Sequence, residues 1–78
     1  MSTRGISNRD GEVFGYLQGN RIYDLQGQQT GVVQGQVVYD LEGARQWLLD
    51  GDALLDLKGN VIGYLGAPVS NGDGEEPL

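Results

Sequence analysis

A seven-residue phrase recurs every sixteen residues along this chain of 78 residues. It reads RIYDLQG at 21–27, VVYDLEG at 37–43 and ALLDLKG at 53–59. A fixed period of this kind indicates one supersecondary unit that is written several times, each copy sharing a core with its neighbours. The repeat therefore limits the possible folds more than any other feature of the sequence.

A fourth copy of the unit is divided between the two ends of the chain. The segment GYLGAPV begins at Gly63 and stops near Val69, while ISNRDGEVF at 6–14 aligns with IYDLQGQQT at 22–30. A ring closed by the N-terminal strand avoids the free sheet edges that promote aggregation. We therefore expect residues 6–9 to pair with residues 63–69, so that the N-terminal strand completes the last of four repeats.

Each copy contains two turn signals. The first is a glycine followed by a polar residue, as in Gly19-Asn20, which suits a two-residue type II′ hairpin turn. Ala67-Pro68 stands at this place in the last copy. The second is D-L-x-G, as at 24–27, which fits a type I turn followed by a left-handed glycine. With fourteen glycines the chain is a poor helix former, and we predict an all-β fold of eight short antiparallel strands.

The two-residue turns determine which side chains lie opposite each other. With Gly19-Asn20 as the turn, Leu17 faces Ile22 and Tyr16 faces Tyr23. The first kind of pair is aliphatic in every copy, and we predict that these pairs form the core: Leu17/Ile22, Val33/Val38, Leu49/Leu54 and Leu65/Ile6. One pair further along, a glycine faces Asp or Asn in three copies, whereas Trp47 faces Asp56 in the third.

The opposite side of the hairpins is also largely apolar, and we call it the Tyr/Leu face. It consists of the pairs Tyr16/Tyr23, Val32/Tyr39, Leu48/Leu55 and Tyr64/Ser7. A thin core cannot bury both sides, so neighbouring hairpins or a partner must cover this one. Its tyrosines are candidate binding residues with three open roles: packing between hairpins, contact with a copy of the chain or another protein, or a small-molecule pocket.

The spacing GYL-x-G-N-x-I-Y-D-x-x-G-x-x-x-G, from Gly15 to Gly31, repeated in a ring of short hairpins, resembles that of the small bacterial four-fold β-flower proteins. The resemblance covers about residues 6–69. It implies a closed fold with pseudo-four-fold symmetry. It implies no assigned activity and supplies no functional residues.

Two further features have alternative interpretations. Trp47 stands where the other copies have glycine, and it either fills a gap in one hairpin or protrudes as an anchor for a partner. The turn residues Asn8, Asp24, Asp40 and Asp56 form a four-fold set of oxygens that suggests a cation site. The D-L-x-G spacing explains each of them as the cap of its own turn, so we expect no metal site.

Composition argues against catalysis. The chain has no histidine and no cysteine, and its one lysine, Lys58, lies at a turn. The net charge of −6 disfavours nucleic acid and anionic membranes as partners. The sequence shows neither a secretory signal nor a transmembrane run, so we expect a cytoplasmic location.

We therefore expect one domain at 6–69 between a disordered N-terminus at 1–5 and a disordered acidic tail at 70–78. Its predicted role is a non-catalytic structural or protein-interaction module without a cofactor. The predicted partner is a second copy or another protein, bound through the Tyr/Leu face. The alternative is a ligand-binding domain that uses the mouth of the four-fold axis or the tyrosine-rich face.

Overall fold

The computed structural model describes residues 2–70, and these residues form strands and turns. No helix capable of crossing a membrane is found among them. The strands are β1 Ser2–Asn8, β2 Val13–Gln18, β3 Arg21–Asp24, β4 Gln29–Gln34, β5 Val37–Asp40, β6 Arg45–Asp50, β7 Ala53–Leu55, β8 Val61–Leu65 and β9 Val69–Ser70. The predicted all-β fold is confirmed.

Eight of the strands form one antiparallel sheet that closes on itself. From β2 to β8 each strand pairs with the next along the chain, and β1 lies between β8 and β2. Ile6, Ser7 and Asn8 pair with Leu65, Tyr64 and Gly63, while the other edge of β1 pairs residues 3–7 with 13–18. The result is a closed antiparallel barrel, in which β1 uses the hydrogen-bonding groups on both of its edges.

The hairpin registers agree with those predicted from the two-residue turns. Leu17 lies opposite Ile22 and Tyr16 opposite Tyr23, and the corresponding pairs form sixteen and thirty-two residues further on. The turn glycine Gly19 has a φ of +62°, and Gly35 and Gly51 have nearly the same value. A left-handed first turn residue is what a type II′ hairpin requires, and glycine adopts it without strain.

The D-L-x-G segments form the turns at the opposite end of the hairpins. The N–H of Gly27 donates to the carbonyl of Asp24 at 3.0 Å, and the equivalent bond closes the turns at 8–11, 40–43 and 56–59. The strand register shifts by one residue just beyond, between Ile22 and Tyr23. A turn closed by a left-handed glycine, followed by a bulge, was expected from the sequence.

The core fills the centre of the barrel. Six of the eight aliphatic side chains predicted for it are buried: Ile6, Leu17, Ile22, Val38, Leu54 and Leu65. The other two, Val33 and Leu49, are half-buried and pack against this cluster. No polar or charged residue is buried among the residues described. The core is therefore stabilised by aliphatic packing, without a polar network.

The pair predicted between Trp47 and Asp56 is wrong, because β7 ends at Leu55 and β6 pairs only as far as Leu48 on that side. In the other hairpins a glycine at this position lets the backbones approach closely. A Cβ placed on Gly31 would lie 2.6 Å from the carbonyl oxygen of Tyr39, too close for a side chain. A tryptophan at the corresponding place must therefore separate the strands.

The chain ends occupy the place where the fourth hairpin turn was expected. Instead of turning at Ala67-Pro68, the chain continues into β9, which pairs with residues 2–3 of β1. Residues 2–5 are thus part of β1, so the disordered N-terminus that we expected at 1–5 is wrong for these four residues, while residue 1 lies outside the described residues. Pairing of β1 with both β2 and β9 is the physical reason. The predicted acidic tail lies outside the described residues from position 71 onward.

Arg4 joins the two ends in place of a covalent turn. Its Nε donates to the carbonyl of Gly66 at 2.7 Å, and its Nη2 lies 2.7 Å from Oδ1 of Asp52. The N–H of Gly66 in turn donates to the carbonyl of Gly5. The ion pair is exposed on the aspartate side and by itself contributes little, but the backbone bonds align the ends.

We predict that Gly31→Ala destabilises the barrel by about 1–3 kcal/mol, because the new methyl group meets the Tyr39 backbone. Gly66→Ala is the matched control. A Cβ there has only ordinary contacts with Gly5, and its expected effect is within about 0.5 kcal/mol. Urea denaturation of the two variants measures the difference. Equal stabilities would contradict the role assigned to the close approach at Gly31.

Candidate functional site

The Tyr/Leu face forms the outer surface of the barrel. Tyr16 is 39% exposed and Tyr64 is 48% exposed, whereas Tyr23 and Tyr39 are half-buried. The hairpins lie side by side in a single sheet, so their outer faces are directed to solvent. Packing between hairpins, one of the roles considered for these tyrosines, covers them incompletely.

Three leucines extend this apolar surface. Leu25, Leu41 and Leu57, the second residues of the D-L-x-G turns, are 54%, 61% and 52% exposed. We did not propose them as site residues from the sequence. A signal was present, however, because a turn of this type needs its aspartate and its glycine but no apolar residue between them.

Two grooves on the outer surface have the same construction. Groove 1, of about 430 Å³, is lined by Thr3 together with Tyr16, Gln18, Tyr23, Asp24, Leu25 and Gly27. Groove 2, of about 350 Å³, is lined by Val32, Gln34, Tyr39, Asp40, Leu41 and Gly43. Every residue of groove 2 lies sixteen positions after one of groove 1, so the sequence repeat builds the same groove twice.

Each groove contains one charged side chain, and it is an aspartate in both. Oδ1 of Asp24 accepts hydrogen bonds from the backbone N–H groups of Gln26 (2.9 Å) and Gln28 (3.0 Å). Oδ1 of Asp40 accepts the equivalent pair of bonds. Among residues 2–70, no group donates to Oδ2 of either aspartate. One oxygen therefore caps the turn, and the other can accept a donor from a ligand.

The third copy differs at this position. Oδ1 of Asp56 accepts the same two backbone bonds, but its Oδ2 also accepts one from Nδ2 of Asn60 at 3.3 Å. The backbone N–H of Asn60 is the main cause that holds the pKa of the Asp56 carboxyl below its ordinary value of 3.8. Desolvation opposes this effect, while the Asn60 side chain, the Lys58 N–H and the Lys58 charge add to it. This carboxylate is thus already paired within its own turn.

The fourth copy has no carboxylate here. Oδ1 of Asn8 accepts from the N–H groups of Asp10 (2.9 Å) and Glu12 (3.0 Å), so an asparagine supports the same turn. Its Nδ2 donates to Oε1 of Glu12. Arg9 replaces the leucine of the other copies. The four outer positions are therefore structurally equivalent but chemically different.

The four turn oxygens considered as a cation site all bond to their own turns. Among residues 2–70 there is no group of three or more His, Cys, Asp or Glu that could hold a metal ion. In each of the four side chains, Oδ1 therefore caps the turn of its own copy.

Trp47 does not line groove 1 or groove 2, but it shares a third cavity with Tyr23 and Asp24. It is half-buried, packs against the core cluster and contacts Phe14 edge to face, with ring centroids 6.2 Å apart. Thr30 and Gln46 line this cavity of about 210 Å³ beside the two rings.

Of the residues proposed as a binding set, Tyr16 and Tyr23 meet in groove 1 and Tyr39 lies in groove 2. Tyr64 lies on the same face opposite Ser7.

These observations define a small closed antiparallel β-barrel of hairpins, with an aliphatic core and outward-facing grooves. The model of the 4-fold beta flower protein family matches residues 2–47, more than half of the chain. The chain belongs to this family, as the spacing of its repeats indicated. No curated protein and no solved structure matches the chain significantly.

We predict that the Asp56 carboxyl titrates below 3.8, as NMR of its side-chain carbon would show. Because the pKa is lower in the folded state, the stabilising effect of the carboxylate is fully present above the unfolded pKa. It is lost as the pH falls through the folded pKa. Asp56→Asn should remove this contribution to the loss of folding stability at low pH. A titration at or above 3.8 would disprove the bonding assigned to the turn.

We also predict that Trp47→Gly lowers the free energy of unfolding by about 2 kcal/mol, less than the roughly 3–5 kcal/mol for a buried aromatic, because the ring is half-buried. Chemical denaturation measures this loss. Unchanged stability combined with weaker self-association would instead identify Trp47 as an anchor for a partner.

Proposed function

We propose that this chain is a non-catalytic protein-interaction module that binds its partner through the Tyr/Leu face and the adjacent turn leucines. The exposure of Leu25, Leu41 and Leu57 carries the proposal. The fold does not require an apolar side chain at these positions, and contiguous exposed apolar surface is typical of interaction sites. The tyrosines next to these leucines belong to a residue type that is enriched at the energetically important positions of protein interfaces.

The chemistry of the chain supports a role without catalysis. The sequence lacks histidine and cysteine, the usual neutral-pH acid-base group and the usual thiol nucleophile. Its single lysine, Lys58, is exposed. A general acid needs a pKa raised toward neutrality, whereas the Asp56 pKa is shifted the other way.

A second copy of the chain is the first partner to test. Each molecule presents the same apolar face, so a symmetric dimer can bury it on both sides. Burying one leucine side chain fully contributes about 1.5–3 kcal/mol, and several together reach the range of a measurable dimer.

We predict that the chain self-associates between about 10 μM and 1 mM, measured by sedimentation equilibrium. A triple variant with Leu25→Ser, Leu41→Ser and Leu57→Ser should remain monomeric, because it lacks the exposed apolar side chains. Its unfolding free energy should change by less than about 0.5 kcal/mol per site.

Comparison of the wild-type chain with the triple leucine variant distinguishes the possible interfaces. A wild-type chain that stays monomeric throughout would exclude self-association and leave a different protein as the partner. A triple variant that associates as strongly as the wild type would place the interface away from the turn leucines.

The cavity beside Trp47 favours a second candidate, a ligand-binding domain. Phe14 and Trp47 form an aromatic wall, and Gln46 supplies a polar group. Its volume of about 210 Å³ is below the roughly 300–1,000 Å³ of typical ligand pockets, so only a very small molecule fits. The emission of Trp47, the single tryptophan, would report occupancy.

A further inference from the structure

Grooves 1 and 2 contain a charged group as well as apolar surface, and this combination restricts which side chain can bind there. Each combines a tyrosine, a turn leucine and one carboxylate whose Oδ2 has no donor among residues 2–70. We propose that each of these two grooves binds a lysine or arginine side chain from an extended segment of a partner protein. This inference rests on the proposed function and specifies the chemistry of its partner.

The groove matches both parts of such a side chain. The aliphatic stem of lysine or arginine packs on apolar surface while its charged end stays near solvent. In groove 2, Tyr39 and Leu41 supply the apolar surface and Asp40 supplies the counter-charge. The ring of Tyr39 also attracts a cation that approaches its face. A neutral aliphatic side chain would use the surface but leave the carboxylate without a partner.

The charge of the grooves also favours a basic side chain as their ligand. Neither groove is lined by a lysine or arginine among the described residues. Two cations lie on strands next to groove 2, because Arg21 pairs with Val32 and Arg45 pairs with Tyr39, but neither of them lines the groove itself. With a net charge of −6, the chain as a whole attracts a basic segment of a partner.

The third and fourth copies predict that there are two such sites rather than four. Asp56 is already bonded through both oxygens and lies beside the cation Lys58, and leucines replace the tyrosine there. The fourth copy has Asn8 in place of an aspartate and Arg9 in place of the leucine. The third position therefore has a carboxylate that is already paired and the fourth has no carboxylate in the turn, so both serve as internal controls.

The test is a ¹⁵N NMR titration of the full chain with a blocked peptide, acetyl-Gly-Leu-Lys-Leu-Gly-amide. The matched probes replace its lysine with norleucine, which has a similar length without charge, or with glutamate. The lysine peptide should shift the amide signals of residues 25–27 and 41–43 and leave those of 57–59 in place. Its affinity should be at least tenfold above that of either probe and should fall as salt is added.

One double variant separates the charge of the two carboxylates from their role in the turns. Asparagine supports this turn at Asn8, so the double variant with Asp24→Asn and Asp40→Asn should keep the fold while removing both counter-charges. We predict at least a tenfold loss of affinity for the lysine peptide. Asp56→Asn is the control and should bind it as the wild type does.

Equal binding of the norleucine or glutamate peptide would overturn the proposal, and so would unchanged affinity in the double Asn variant. The absence of shifts at both grooves would do the same. Loss of the charge preference alone leaves the protein-interaction function standing. That function fails separately, if the triple leucine variant retains every association of the wild type.

Discussion

Strand β1 is hydrogen-bonded along both edges, to β2 and to β8, and the rest of the barrel depends on this pairing. Without it the sheet would be an open meander with two exposed edges and an uncovered core. With it, Ile6 lies against Leu65 in the centre of the aliphatic cluster. A core of only six buried side chains can stabilise a domain of this size because closure brings all of them together.

Within each D-L-x-G turn, some residues maintain the fold and others only contribute to the outer surface. Its aspartate and glycine form the hydrogen bonds that hold the hairpins in register. The leucine between them and the tyrosine before them make no such contribution, yet both are retained in the first two copies. The scaffold residues are the same in three copies, and Asn8 replaces the aspartate in the fourth. Any difference in binding between the first three copies would therefore arise from the residues that vary: the outer pair and the hydrogen-bond partner of the carboxylate.

Local chemistry was enough to predict most of the fold. Leu17 and Ile22 could be paired because a two-residue turn leaves one possible register, and this pair predicted the core. The pair predicted between Trp47 and Asp56 was wrong, because the local sequence does not show how closely the two backbones approach at this position. The close approach at Gly31 becomes visible only in three dimensions. The tyrosines of the candidate site were predicted, whereas the groove leucines were assigned only to turns. Whether a turn residue lies beside an apolar face depends on how the hairpins are arranged around the barrel.

The sequence by itself determined eight of the nine strands, the positions of the turns and the hairpin registers, because each follows from short-range backbone geometry repeated at a fixed interval. It also indicated that the ring closes, because the fourth copy is divided between the two ends of the chain. The tertiary structure decided how exposed the outer tyrosines and turn leucines are, how β1 continues to pair with β9, and which carboxylates have an Oδ2 without a donor among residues 2–70. Those properties depend on distances between residues of different hairpins or on the rotamer of one side chain. Periodicity alone therefore treats the four copies as equivalent, while the folded chain makes them different.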